Sequence, residues 1–193
     1  MATNKKQRIT GSRSFRTPKM FPIILMLFIL LISAISLFLS NAVFNDHFVL
    51  SQCFFWLSMS LLFFFIAFVS FYARMDKWIE KILIPIVIIG SLAFSAAFAL
   101  TTIQLFLDKP VFDSSHFEEL EGLPSSISFD GSKNGSDYVS AITINGTKIK
   151  VSHLNITEKE FTKTLKSKHL KLKYLPNSKF AISLVVEEKI EKQ

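Results

Sequence analysis

The chain has 193 residues, half of them hydrophobic and 21 of them Phe, with 22 Lys and Arg against 15 acids and a formal charge of +7. Its single cysteine, Cys53, excludes a disulfide framework within the chain, and one thiol without convergent ligands fits neither a zinc nor a redox centre. The excess charge is local: Lys5, Lys6, Arg8, Arg13, Arg16 and Lys19 all precede the first apolar run, as the cytoplasmic flank of a membrane helix does, so no nucleic-acid partner is expected.

Behind that basic N-terminus (1–19) come three uncharged stretches. Met20 to Ser40, Cys53 to Tyr72 and Ile82 to Leu107 each match the roughly 20 apolar residues needed to cross a hydrocarbon core. They predict a three-helix transmembrane region over 20–107, because backbone amides in lipid must be paired within the segment. Pro22 and Pro85 are expected in the first turns of their helices, where no intrahelical bond is lost.

The first connection carries Asp46 and no Lys or Arg, whereas the second holds Arg74, Lys77 and Lys81. By the positive-inside rule the N-terminus and second loop face the cytoplasm, and the chain beyond Leu107 emerges outside. Asp108, Asp113, Glu118, Glu119 and Glu121, against Lys109 as the single cation before Lys133, agree with that placement. Tyr72 and Trp78 on the inner side and Trp56 on the outer side are expected as interfacial aromatics. Ser40-Asn41-Ala42 has the small-x-small form of a signal-peptidase site, but the apolar run before it is longer than a usual h-region, so cleavage after Ala42 is not expected.

No ionisable group falls within the three runs, which removes the usual marker of ion paths and proton relays. Ser91, Ser95, Ala99 and Thr102 form one small-residue face of the third span and Ala93, Ala97 and Thr101 a second, surfaces that let helix backbones approach closely. The Phe-rich second span, bulky all round, is expected to face lipid.

The remainder has 13 Lys and 12 acids, an ordinary soluble composition. Residues 108–125 read as a linker in which Ser115 and Glu118 have capping-box spacing for a helical turn. A small β-rich domain follows over 126–186, then a charged tail over 187–193. In it "SISF" alternates as a strand, and "YVSAITI" and "TKIKVS" flank Asn145-Gly146, the signature of a type I′ hairpin. Thr157 and Glu160 start a short helix with Phe161 and Leu165 one turn apart. "HLKLKYL" places Leu170, Leu172 and Tyr174 on one face and Lys171 and Lys173 on the other, and Pro176-Asn177 turns the chain into "FAISLVV". The predicted fold class is thus three transmembrane α-helices followed by a small α+β, mainly β, extracytoplasmic domain.

The pairing of "VSAITINGTKIKVS" with "LKLKYLPNSKFAIS" resembles a widespread bacterial domain of unknown function, in which membrane spans are joined to a small β-rich module with an Asn-Gly turn and a late strand ending in a proline-asparagine turn. The resemblance covers about 126–186. It implies a bacterial envelope protein and contributes no catalytic residues.

Specific chemistry finds little support. Asp130, Ser132, Asn134 and Gly135 occupy the first, third, fifth and sixth places of a calcium-loop pattern, but Ala141 stands at the twelfth, where a bidentate Glu is required. Asn134, Asn145 and Asn155 begin N-x-Ser/Thr sequons, and the Lys, Ile, Phe and Asn bias points to an AT-rich bacterium in which no glycan is expected. His47, His116, His153 and His169 lack metal-ligand spacing. No catalytic, cofactor or metal residues are therefore assigned. The expectation is a non-enzymatic, multi-pass protein of a bacterial plasma membrane, with the lipid bilayer around it and a protein or envelope polymer bound to its outward β-module. The alternative is an accessory subunit of a transporter or membrane enzyme, acting through its helices.

Overall fold

The computed structural model describes residues 20–72, 78–131 and 137–187. The six N-terminal cations, Arg74, Lys77, Ser132 to Gly135 of the calcium-loop pattern and residues 188–193 of the tail lie outside them. Three helices are long and apolar enough to cross a membrane: α1 (Met20–Phe38), continued by a π turn (Leu39–Val43), α2 (Phe48–Tyr72) and α3 (Trp78–Asp113). This is a multi-pass membrane protein followed by a small β region.

The bundle is sewn by serines. Ser33 and Ser58 each donate a side-chain hydrogen bond to the other's backbone carbonyl, at 3.0 and 2.9 Å. Ser40 and Ser51 do the same at 2.8 and 3.1 Å, and Ser60 and Ser95 at 2.9 Å in both directions. Two pairs join α1 to α2 and one joins α2 to α3, so the Phe-rich α2 is the central helix, with serines turned to both neighbours and Phe64 and Phe71 left exposed. Its small residues, Ser58, Ser60 and Ala67, are buried while its Phe side chains fill the flanks. The small face of α3 that uses Ser91 and Ser95 is turned into this seam; Ala93 and Ala97, on the second face, are exposed. Trp56 packs on Phe98 of α3, with ring centroids 5.2 Å apart.

The third helix is longer at both ends than its apolar run. Starting at Trp78, it places Pro85 in its interior, and extending to Asp113 it also contains Pro110. Each proline removes a donor, from the carbonyls of Lys81 and Phe106 respectively, which neighbouring groups in membrane helices commonly offset. The helix ends in a Schellman arrangement: His116 N–H donates to the Val111 carbonyl, Ser115 N–H to Phe112, and Ser115 itself takes φ 55°. Ser115 is therefore a C-terminal cap instead of the expected N-cap, and Glu118 opens a strand.

The stretch expected as a linker thus holds the end of α3 and β1 (Glu118–Gly122). Then come β2 (Ser126–Asp130), β3 (Tyr138–Ile144), β4 (Thr147–Lys150), a 3-10 turn (Ser152–Leu154), α4 (Glu158–Glu160) with a π turn (Phe161–Leu165), β5 (His169–Tyr174) and β6 (Ala181–Glu187). They form two antiparallel three-stranded sheets, ordered β1-β5-β6 and β2-β3-β4. The hairpin turn is type I′ in form, with Asn145 at φ 50° and Gly146 at φ 80°. Gly122, at φ 154°, is the other indispensable glycine, since a Cβ there would stand 2.9 Å from Ile144.

One core lies between the sheets. Leu120, Leu172 and Leu184 are cross-strand neighbours on its wall, and Ile142 with Ile149 faces them from the other sheet. Thr157 caps α4 by accepting from Glu160 N–H at 3.2 Å, which sets Phe161 and Leu165 into the same core. On the outer face Lys171 bridges Glu119 and Glu121, and Lys173 reaches Glu119. The alternation of β5 is satisfied on both sides.

Single Ser58→Ala and Ser60→Ala substitutions should each lower bundle stability by about 0.6–1.7 kcal/mol, the range for interhelical hydrogen bonds in membranes. Ser60→Leu should cost more, because it also forces two close backbones apart. Unfolding in mixed micelles with increasing denaturing detergent measures the order.

Candidate functional site

The residue that joins the two halves of the molecule is Asp108. It lies one residue past the apolar run, among the acids that follow the third span, and its exposure is 0 %. The helix carries its carboxylate against the turn between β5 and β6. Oδ1 accepts from Asn177 N–H (2.9 Å) and Nδ2 (2.7 Å), and Oδ2 accepts from Ser178 N–H (2.7 Å) and Oγ (2.6 Å).

The turn is built to present those donors. Leu175 N–H donates to the Phe180 carbonyl and Lys179 N–H to the Leu175 carbonyl, closing the loop, while Lys179 takes φ 57°. Asn177 and Ser178, at its tip, are left with backbone N–H groups that no strand uses. Pro176 narrows the loop's freedom by fixing its own φ. Moving a carboxylate out of water costs several kcal/mol; charge-assisted hydrogen bonds, at about 1.5–3 kcal/mol each, offset it.

Around this bond pattern the two halves share an apolar cluster. Leu175 and Phe180 of the turn pack with Val49 and Cys53 of α2 and Leu105 of α3, flanked by Phe48, Phe112 and Phe117. The Lys150 ammonium sits 4.8 Å from the Phe180 ring centroid, and Lys150 N–H donates to the Lys179 carbonyl, so β4 is tied to the same turn. Lys179 also lies over the Tyr174 ring at 4.9 Å and 3.8 Å from Glu118. A hydrogen bond to Glu118, and burial after it, push the Tyr174 phenol up to about 12.

His153, in the 3-10 turn, completes the junction. Its ring packs, tilted by 40°, at 4.6 Å from Phe48 of α2 and lies 6.0 Å from Phe180. Burial holds the imidazole below its ordinary value, outweighing the Ala181 carbonyl that favours its proton. Nδ1 has no hydrogen-bond partner among the described residues, so a second proton there would be unpaired in an apolar contact.

The other singled-out residues are dispersed. His47 precedes α2, His116 follows α3 and His169 opens β5; among the described residues no three His, Cys, Asp or Glu side chains group as a metal site would. Asn145 turns its amide to the Glu121 carbonyl at 3.3 Å, and Asn155 stands exposed at φ 52°. Asp108, Asn177, Ser178 and His153 were not linked by sequence reasoning, whose available signal was an Asp at the exact end of a span and a Pro-Asn-Ser turn. Comparison of the chain with protein-family models, with curated proteins and with solved structures finds no match, and the resemblance of residues 126–186 to a bacterial domain has no counterpart among those family models.

Asp108→Ala strands four donors, two of them backbone, at about 1–3 kcal/mol for each left buried and unpaired; Ser178→Ala removes one donor and should cost less, about 1–3 kcal/mol in all. Limited proteolysis of the detergent-solubilised protein, read by mass, should release an intact β domain in the first variant sooner than in the second. The His153 shift gives a sign for pH: the docked imidazole binds its proton less readily than the free one, so docking is complete at neutral pH and weakens as pH falls below about 6.5. His153→Phe, which keeps an aromatic ring against Phe48, should flatten the pH dependence of proteolysis between pH 7 and 5.

Proposed function

We propose that this is a non-enzymatic integral membrane protein of a bacterial envelope, whose helices hold a β domain at the membrane surface as a docking module for another protein or an envelope polymer. The observation that carries this reading is the junction. A domain on a flexible tether needs no buried carboxylate at its root, whereas Asp108 and the cluster of Leu105, Leu175 and Phe180 fix the orientation in which the strands meet a partner. The acidic and basic side chains of β1 and β5 form a mixed-charge face, with Val185 of β6, 57 % exposed, at its side. Such a face is suited to a polar partner.

The positive-inside pattern supports a cytoplasmic N-terminus and an extracytoplasmic β domain. A second reading, an accessory subunit of a transporter or membrane enzyme, is favoured by one feature: Ala93 and Ala97 form a small-residue face of α3 that is exposed among the described residues.

One experiment separates these. Photo-crosslinkers placed singly at Val185 and at Ala97 in live cells should capture a partner from Val185 if the module docks it; capture from Ala97 alone would transfer the role to the helices. The orientation is read in the same cells with Ser128→Cys in a Cys53→Ala background. A membrane-impermeant maleimide should label it in intact cells, and labelling only after permeabilisation would reverse the assigned sidedness.

A further inference from the structure

Between α2 and α3, two turns along from their Ser60–Ser95 pair, runs a groove of about 440 Å³ lined by Leu50, Phe54, Leu57, Ile103, Phe106 and Leu107. Its floor is made by two small residues, Cys53 and Thr102. Both have their polar atoms turned inward: the Thr102 hydroxyl donates to the Phe98 carbonyl at 3.0 Å, and the Cys53 thiol points to the Thr102 carbonyl at 3.8 Å. The groove therefore offers only apolar surface. It opens sideways from two membrane-spanning helices, into the hydrocarbon.

At its upper end the groove shares Leu50 with a second, smaller cleft of about 130 Å³, where His47, Lys109 and Asp113 join Val49 and Phe112 in the lining. The change follows the helices: Phe106, Lys109 and Asp113 succeed one another along one face of α3, and His47 lies one turn before Leu50 at the start of α2. Lys109 and Asp113 are ion-paired and half open to solvent, at 37 and 58 % side-chain exposure. An apolar channel at hydrocarbon depth, capped at the interface by one cation and one carboxylate, has the layout of a phospholipid.

We propose that this groove is a binding site for one phospholipid of the leaflet on which the β domain stands, and that its headgroup is zwitterionic with a primary amine, a phosphoethanolamine. One acyl chain lies on the Cys53–Thr102 floor. The phosphate takes Lys109 and the ammonium takes Asp113, so each member of the existing ion pair exchanges its partner for one of opposite charge in the ligand. A purely anionic headgroup would bring a phosphate to Lys109 with no ammonium for Asp113, and the carboxylate would repel it. The lipid's place, between the α2 and α3 ends that carry the β domain, makes it part of the junction's outer wall; the proposal does not depend on which side of the membrane that is, nor on what the domain binds.

The test uses the full chain, reconstituted in nanodiscs of equal phosphatidylethanolamine and phosphatidylglycerol, extracted in mild detergent and weighed by native mass spectrometry. The wild type should retain a single phosphatidylethanolamine in about tenfold preference over phosphatidylglycerol. Asp113→Asn should abolish that preference, Lys109→Gln should lower retention of both lipids, and Ile103→Trp, which fills the channel from its lipid-exposed rim, should remove the bound lipid. Retention in the proportions of the nanodisc, or a preference unchanged in Asp113→Asn, would overturn the headgroup assignment and the site with it. Since Lys109 and Asp113 are surface side chains, loss of fold in Ile103→Trp would leave those two variants to decide.

Discussion

A single carboxylate at the end of a membrane helix organises the molecule. Asp108 receives four hydrogen bonds from two adjacent residues of one turn, and this arrangement only makes sense if the turn and the helix end stay dry. The apolar contacts of Leu105, Leu175, Phe180 and Val49 keep them so. The two requirements support each other: the donors make burial of the charge tolerable, and the dry surroundings make each donor count for more. Everything on the β side inherits its position from this contact. Both strands that flank the turn, β5 and β6, run straight into the core, and β4 is tied to it through Lys150 and Lys179.

The same economy of polar groups holds within the bilayer. With no water to satisfy a hydroxyl, each seam serine bonds its partner's carbonyl, and the reciprocity leaves no donor over. Small residues at these points let the helices approach, while the bulk of the Phe side chains moves to the flanks of α2, where Phe63 meets Phe94 and Phe98. A helix crowded with aromatics can therefore be the middle one.

How far the sequence could be read depends on the range of the interaction concerned. The three spans, the Asn145-Gly146 hairpin, the cap at Thr157 and the two faces of β5 were all legible, because each rests on neighbours in the chain. The ends of α3 were not: Trp78 to Lys81 and Asp108 to Asp113 look like loop by polarity, yet both continue the helix, the second with Asp108 held by Asn177 and Ser178. Strand β1 was missed for a related reason. "EELEG" has one inward residue, Leu120, and its acids are compensated by Lys171 and Lys173, which arrive from a distant strand. Asp108 is the extreme case. Its partners lie 69 and 70 residues downstream, and nothing local distinguishes it from an acid in water.

The serine pairs have a mechanical corollary. Ser33 with Ser58 and Ser40 with Ser51 are spaced by seven residues on both helices, so the two locks close in one register and no other. Sliding α1 along α2 by a single turn would open both at once, and Ser60 with Ser95 imposes the same condition on α3. Piston-like travel of α1 would thus break four interhelical hydrogen bonds together, whereas tilt or rotation of the three rods as a unit leaves them in place.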